Sequence, residues 1–406
     1  MKFLTGQLLM YFTFFLYVSN MQFRMFPDKI RTRLIIGVIG FAYYFVHFKG
    51  RDAYNVKYLI KLIFPLAIWM MLSILINLSD QVWFLQYVIL QVLYAFGAIF
   101  VIHIGKIDSF CKLLWMFFLY VIIQDSIAFI GFFIPSLSLL INTIQVPELS
   151  ADRIDELSTL RAFGLGEFGL FGGGAWVAIG MLVMTILYRM NKLNGYLYAS
   201  FLIVLLITGL FVARTSLTGL IALSLLLIPI KKNWKRVLYW ALGVCVFLLL
   251  LQTIEEKIED RGFSTNYAFE LFDKYRDSGE IQSNSFDLTK KMWQTLPDNL
   301  LTWIIGDAKY VDENGGYYMH VDVGYLRILF YGGLIGLFLY LLYIYNLARY
   351  TYIQSGKNNE VKLFLTIYFI LVLMWMWKGH YDTNCLLLLF LYSSSLNKQL
   401  SQHKLH

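Results

Sequence analysis

Charge is scarce in this chain. Only 15% of its 406 residues are Asp, Glu, Lys or Arg and 59% are hydrophobic, against about 25% charged and about 45–50% apolar in soluble domains. An ordinary soluble globule is excluded on that count. Cysteine is scarcer still: Cys111, Cys245 and Cys385 are too few and too separated for a disulfide framework or a zinc site, and they read as packing residues. With six prolines there is no Pro-rich linker. No internal repeat is evident either, which counts against inverted-repeat transporters. No residues stand at metal-ligand spacing and no dinucleotide or nucleotide phosphate loop is present, so no metal and no other cofactor is implied.

What fills the chain instead is a series of long apolar runs. At about 20 residues per membrane helix, they predict an all-α, polytopic transmembrane bundle of about 12 spans. The spans fall near 3–22, 34–48, 59–78, 82–105, 113–134, 169–188, 195–212, 216–230, 237–253, 324–347, 361–377 and 384–397. Residues 1–406 then form one integral membrane domain with the lipid bilayer as its first partner. Lys2 precedes an apolar stretch through Val18, and no small-residue cleavage pattern follows, so this stretch reads as a retained first helix.

The net charge of +8 would suggest nucleic acid in a soluble protein; here cytoplasmic loops account for most of it. Arg189, Lys192, Lys231, Lys232, Lys235, Arg236, Arg349, Lys357 and Lys362 mark one side as cytoplasmic, together with both termini. The other side receives two long loops, 135–168 and 254–323, the second carrying just over half of the chain's acids. One hairpin disagrees. Arg24, Lys29, Arg31 and Arg33 fall outside if 34–48 spans, while Lys49, Arg51, Lys57 and Lys61 fall inside.

Candidate chemistry gathers on the outward side, where irregular segments can cover a cavity and position reactive groups. Leu160-Arg161-Ala162-Phe163-Gly164-Leu165-Gly166-Glu167 leads into Gly172-Gly173-Gly174. So much glycine lets backbone approach an anion closely, or simply allows close helix packing. Arg214 lies in a very short outward turn, Ala213-Arg214-Thr215-Ser216, against the positive-inside tendency. Its rigid fork suits phosphate oxygens, though it could also snorkel to headgroups. His320 and Asp322 stand where the acidic loop becomes a helix; either could serve as a general base, and Asp322 could equally be a helix N-cap. Arg327 follows about a turn later. Asp125, beside Gln124, is mid-span, as a functional group or a buried interhelical hydrogen bond. Lys378, His380 and Asp382 form a compact outward turn.

Three of these places, in this order, resemble the bacterial O-antigen polymerase family within the superfamily of lipid-linked glycan polymerases and ligases. They are Leu160–Gly164 with Glu167, Ala213–Ser216, and Asp322-Val323-Gly324-Tyr325-Leu326 with Gly333-Leu334-Ile335-Gly336. The resemblance implies a GT-C-like glycosyltransferase of the bacterial inner membrane with its active site facing the periplasm. The implied reaction is metal-independent inverting transfer between undecaprenyl-diphosphate-linked oligosaccharide units, with a chain-length regulator protein as a further partner. Arg161, Arg214 and Arg327 would bind the diphosphate, His320 or Asp322 would act catalytically, and Glu167, His380 and Asp382 would contact substrate. In the ligase branch a His-Asn pair precedes this last motif; Asp322-Val323 stands there instead, which favours polymerase over ligase. A flippase for lipid-linked oligosaccharide is the alternative of another class. It would need cations lining both sides, and Arg161 and Arg214 lie on the outer side only.

Overall fold

The computed structural model describes residues 2–26, 30–47, 50–146, 161–227, 284–313 and 315–403. Every regular element among them is a helix, and strand pairing is limited to two isolated bridges, Phe23 with Gln145 and Val311 with Tyr317. That outcome follows from the apolar runs, since a segment in lipid must satisfy its N–H and C=O groups internally.

In chain order the helices are α1 Lys2–Ser19, α2 Thr32–Val46, α3 Gly50–Asn77, α4 Trp83–Ile104, α5 Phe110–Phe133, α6 Pro135–Ile144 and α7 Leu170–Arg189. They continue with α8 Gly195–Val212, α9 Thr218–Leu227, α10 Asn284–Met292, α11 Leu300–Ile304, α12 Gly324–Gln354, α13 Asn359–Met376 and α14 Asn384–His403. Among the described residues seven are long and apolar enough to cross a membrane: α3, α4, α5, α7, α8, α12 and α13. Leu8–Ser19, Thr32–Val46, Arg214–Leu226 and Asn384–Ser393 are shorter apolar stretches. The chain is thus built as a multi-pass membrane protein, and the seven long helices, rather than twelve, carry that statement. The span expected at 237–253, the loop residues 147–160 and 254–283, and Lys231, Lys232, Lys235 and Arg236 lie outside the described residues.

The long loops contain helices of their own. Pro135 opens α6 at a position where its missing N–H costs nothing. Helix α10 carries Asp287 in its first turn and Lys290 and Lys291 in its last, matching the helix dipole at both ends. Asn299 caps α11 by accepting from Thr302 N at 2.8 Å. Three helices of ten residues or fewer were too short for their apolar pattern to stand out from polar surroundings.

Two compact units divide the chain. The first holds Met1–Asn20, Arg31–Leu113 and Asn284–His406; the second holds Met21–Ile30 and Leu114–Ser283. In the second unit α7 is the central helix, with 89% of its apolar window buried, as befits a helix hydrophobic all round. In the first unit α12 packs against α3, α11, α13 and α14.

Helix α12 is broken inside its span. Gly333 has φ +68° and ψ −172°, backbone that only glycine adopts without strain. The segment after α11 enters this break: Asp307 N donates to Phe330 O at 2.6 Å and Ala308 N to Tyr331 O at 3.1 Å. Trp69 Nε1 donates to Gly332 O at 2.7 Å and Ser73 Oγ to Tyr331 O at 2.9 Å. Three carbonyls at the break, those of Phe330, Tyr331 and Gly332, thereby find donors, as burial requires. A Cβ on Gly333 would lie 2.1 Å from Ile304 O. The Gly333-Leu334-Ile335-Gly336 motif is therefore the seat for an inserted loop.

Candidate functional site

The site residues named from the sequence fall into both units. Arg161, Glu167 and Arg214 belong to the second; His320, Asp322, Arg327, His380 and Asp382 belong to the first.

In the second unit two glutamine side chains hold the loop that follows Arg161. Gln124 accepts from Leu165 N at 2.9 Å and donates to Leu165 O at 3.0 Å. Gln145 accepts from Gly166 N at 2.7 Å and donates to Gly164 O at 3.3 Å. Ala162 N donates to Phe211 O at 2.8 Å, which brings the Arg161 loop beside the end of α8, three residues before Arg214. Arg214 opens a 3-10 turn and is 8% exposed; Glu167 is buried beside the clasped loop. A Cβ on Gly174 would meet Ala213, Thr215 and Ser216 at 3.0 Å. The glycine run accordingly lets α7 pack against the Arg214 turn, the packing alternative for that run. Asp125 accepts a short hydrogen bond from Thr208 Oγ1, tying α5 to α8, and Gln124 serves the loop.

The first unit assembles a denser cluster around the start of α12. Arg327 has its Cζ 4.1 Å from the ring centroids of both Tyr310 and Tyr317, so the guanidinium is held between two aromatic faces. Its Nη1 donates to Asp322 Oδ1 at 3.3 Å. Its Nε is buried and makes no hydrogen bond. Gln81 fixes Tyr310 by accepting from Tyr310 N at 2.7 Å and Val311 N at 3.0 Å. The apolar support beneath consists of Val321, Val323, Leu326, Leu329 and Phe330, packed by Met292 and Trp293.

Asp322 keeps 45% of its side chain exposed. Desolvation by the neighbouring wall still pushes its pKa up from 3.8 to about 6, against the lowering pull of Arg327 and Lys378. The carboxyl is thus mostly ionised at neutral pH yet poised to take a proton. A Cβ on Gly324 would strike Gly379 O at 2.6 Å, so the start of α12 lies against the Lys378–Asp382 turn. Burial, with a smaller contribution from the charge of Arg327, lowers the pKa of His380 to about 3. Its neutral ring shares a 2.9 Å hydrogen bond with Tyr340 Oη. His320 projects away, 89% exposed, with Nδ1 3.8 Å from Asp312 Oδ2. Asp382 Oδ1 accepts from Asn384 N at 2.8 Å, opening α14.

Arg33 is the residue that sequence reasoning missed. It is 1% exposed, donating from Nε to Tyr17 O at 3.0 Å and from Nη2 to Val18 O at 3.1 Å, with Nη1 3.8 Å from Asp382 Oδ2. A cation on the last carbonyls of α1 is favoured by the helix dipole. Arg24 does the same for α6, donating to Asn142 O at 2.9 Å. Two of the four cations expected on the outward side of the discordant hairpin are therefore spent on helix ends, and Lys29 lies outside the described residues. The signal was the discord itself: a cation that breaks a topology rule has a reason to be where it is.

Among the described residues no group of three or more His, Cys, Asp or Glu side chains is placed to hold a metal ion. No family model matches the chain, and neither a curated protein nor a solved structure matches it.

Proposed function

We propose that this protein is an O-antigen polymerase, joining undecaprenyl-diphosphate-linked oligosaccharide units at the periplasmic face of the bacterial inner membrane. The observation that carries the reading is Arg327, caged by Tyr310 and Tyr317, beside an Asp322 whose pKa is lifted to about 6. A half-exposed carboxylate next to a fixed cation and open aromatic faces suits a sugar hydroxyl approaching a diphosphate-bearing sugar. In the reaction, the acceptor hydroxyl oxygen attacks the anomeric carbon and gives its proton to the Asp322 carboxylate. The bond from that carbon to the diphosphate breaks, and the leaving diphosphate carries the electron pair. The Arg327 guanidinium would neutralise that charge, as preorganised cations do. Exposed Tyr317 and Trp377 offer faces on which sugar rings stack.

Arg161 and Arg214 are assigned to the donor diphosphate on the strength of the motif resemblance. The GT-C-like architecture, the full set of twelve spans and the chain-length regulator rest on the same resemblance. Of the two candidate bases, Asp322 has the placement that fits. His320 faces the exposed side near Asp312, and Asp382 holds α14 and Arg33 in place.

Deleting the gene in its host tests the reading. The lipopolysaccharide should then carry single repeat units, because ligation continues without polymerisation. A core with no O unit would point to ligase or flippase, and an unchanged ladder would sink the enzyme reading. Polymerisation by purified protein should persist in EDTA; strict dependence on Mg²⁺ would contradict the role given to the arginines.

A further inference from the structure

Helix α12 carries an arginine near each end, and the second one opens onto a cavity that polymerisation does not use. From Arg327 to Arg349 the helix rises by about 30 Å, roughly the thickness of a bilayer's hydrocarbon core. At that far end α12 and α13 enclose a groove of about 490 Å³. Three cations line it, Arg349, Lys357 and Lys362, and no Asp or Glu is among its lining residues. Lys357 stands in the turn between the helices with φ +63°, a costly conformation for a non-glycine residue. The N-terminus of α13, capped by Asn358, adds partial positive charge at the same mouth.

The groove is graded along its length. Lys357 and Lys362 stand at its mouth; Tyr352 and then Arg349 follow on α12, Leu365 and Thr366 on α13, and Ala348, Tyr345 and Phe369 lie deepest. Tyr345 and Phe369 meet edge to face at 5.9 Å, closing the inner end. A small inorganic anion would use only the mouth. An amphiphile with a phosphate at one end and a hydrocarbon chain below it uses the whole groove.

We propose that this groove binds an anionic glycerophospholipid, phosphate among Arg349, Lys357 and Lys362 and acyl chain along Leu365 and Phe369. The site is distinct from the Arg327 cluster, and the positive-inside tendency of the same cations assigns it to the cytoplasmic leaflet.

Native mass spectrometry of the full chain in detergent tests this, with phosphatidylglycerol, phosphatidylcholine or inorganic phosphate added in turn. The chain should retain one phosphatidylglycerol under conditions where phosphatidylcholine is lost. A triple variant, Arg349→Gln with Lys357→Gln and Lys362→Gln, should bind it about a hundredfold more weakly, each cation near a membrane surface contributing roughly a fivefold factor. All three side chains are exposed, so the variant is expected to fold, with a wild-type thermal transition as the check. Leu365→Trp keeps every charge but fills the apolar floor, and it too should lose the lipid. Undiminished retention by either variant would overturn the proposal. So would equal retention of phosphatidylcholine, or competition by millimolar inorganic phosphate, which would make the groove a free-anion site.

Discussion

The two units hold loops that neighbour their arginines by the same device and leave the arginines in different settings. In the second unit Gln124 and Gln145 pair with the backbone of 164–166; in the first, Gln81 pairs with 310–311. A glutamine amide serves both because it matches a peptide group's donor and acceptor, so one side chain replaces a strand neighbour where none exists. Beyond that the regions part. Arg214 is packed in a turn against α7, whereas Arg327 is caged by two tyrosine rings with an ionisable carboxyl on one side. Clasping the backbone is architecture; the aromatic cage also fixes a cation beside an ionisable carboxyl.

Substitution of the arginines tests that contrast most strongly. Arg327→Ala is expected to reduce polymerisation of lipid-linked units by about 10²–10³, as loss of a preorganised charge-stabilising donor does, with membrane levels unchanged on immunoblots. Arg327→Lys should recover little, since an ammonium lacks the planar stack and fork. If Arg327→Ala polymerises normally while Arg214→Ala does not, the chemistry belongs to the second unit and the contrast is reversed.

Next come the glycines. Gly333→Ala should cost roughly 2–6 kcal/mol, combining left-handed strain with a backbone collision, read as a lowered thermal transition of purified protein. Gly174→Ala, whose Cβ would meet neighbours at 3.0 Å, should cost about 1–3 kcal/mol. Equal effects would mean that the loop inserted at Gly333 can move aside.

The glutamines follow. Gln81→Ala and Gln124→Ala each leave part-buried peptide groups without their partner, at about 1 kcal/mol or somewhat more. Both should therefore lower stability alike, but only Gln81→Ala should also weaken the tyrosine cage and depress turnover beyond its effect on folding.

The pH response separates function from architecture. Asp322 titrates at about 6 in the folded protein instead of 3.8, so the unfolded chain ionises first and this group's contribution to stability falls as pH rises through that window. Asp322→Asn is accordingly expected to be at least as stable at pH 7, while polymerisation is lost. In the wild type, activity should decline below pH 6 as the carboxyl takes up its proton. A destabilised Asp322→Asn, or an activity flat from pH 5 to 7, would make Asp322 a structural residue.

The smallest effect belongs to His320→Ala. Its side chain is 89% exposed, and a surface change of that kind should leave activity and stability within about twofold.

How much of this was legible beforehand varies by element. The long apolar helices stood out because lipid demands continuous hydrophobic sequence, and eleven of the fourteen described helices lie where such runs place them, the exceptions being α6, α10 and α11. Arg327 and Asp322 were singled out through their position at a loop-to-helix junction. Their setting was not legible, because Tyr310 and Tyr317 reach Arg327 only through folding of the 304–323 loop, and no periodicity marks an aromatic cage. Arg33 was misread as loop charge, since its partners are the last carbonyls of α1 and Asp382, 349 positions away.

By itself, then, the sequence determined that the chain is helical and lives in lipid, because hydropathy acts locally along the chain and needs no partner. It also marked the arginines that defy charge bias. Only the tertiary structure decided which of those cations are spent on helix ends and which are caged and poised. That choice depends on carbonyls, rings and carboxyls brought together from distant segments, through a helix broken at Gly333 to receive them.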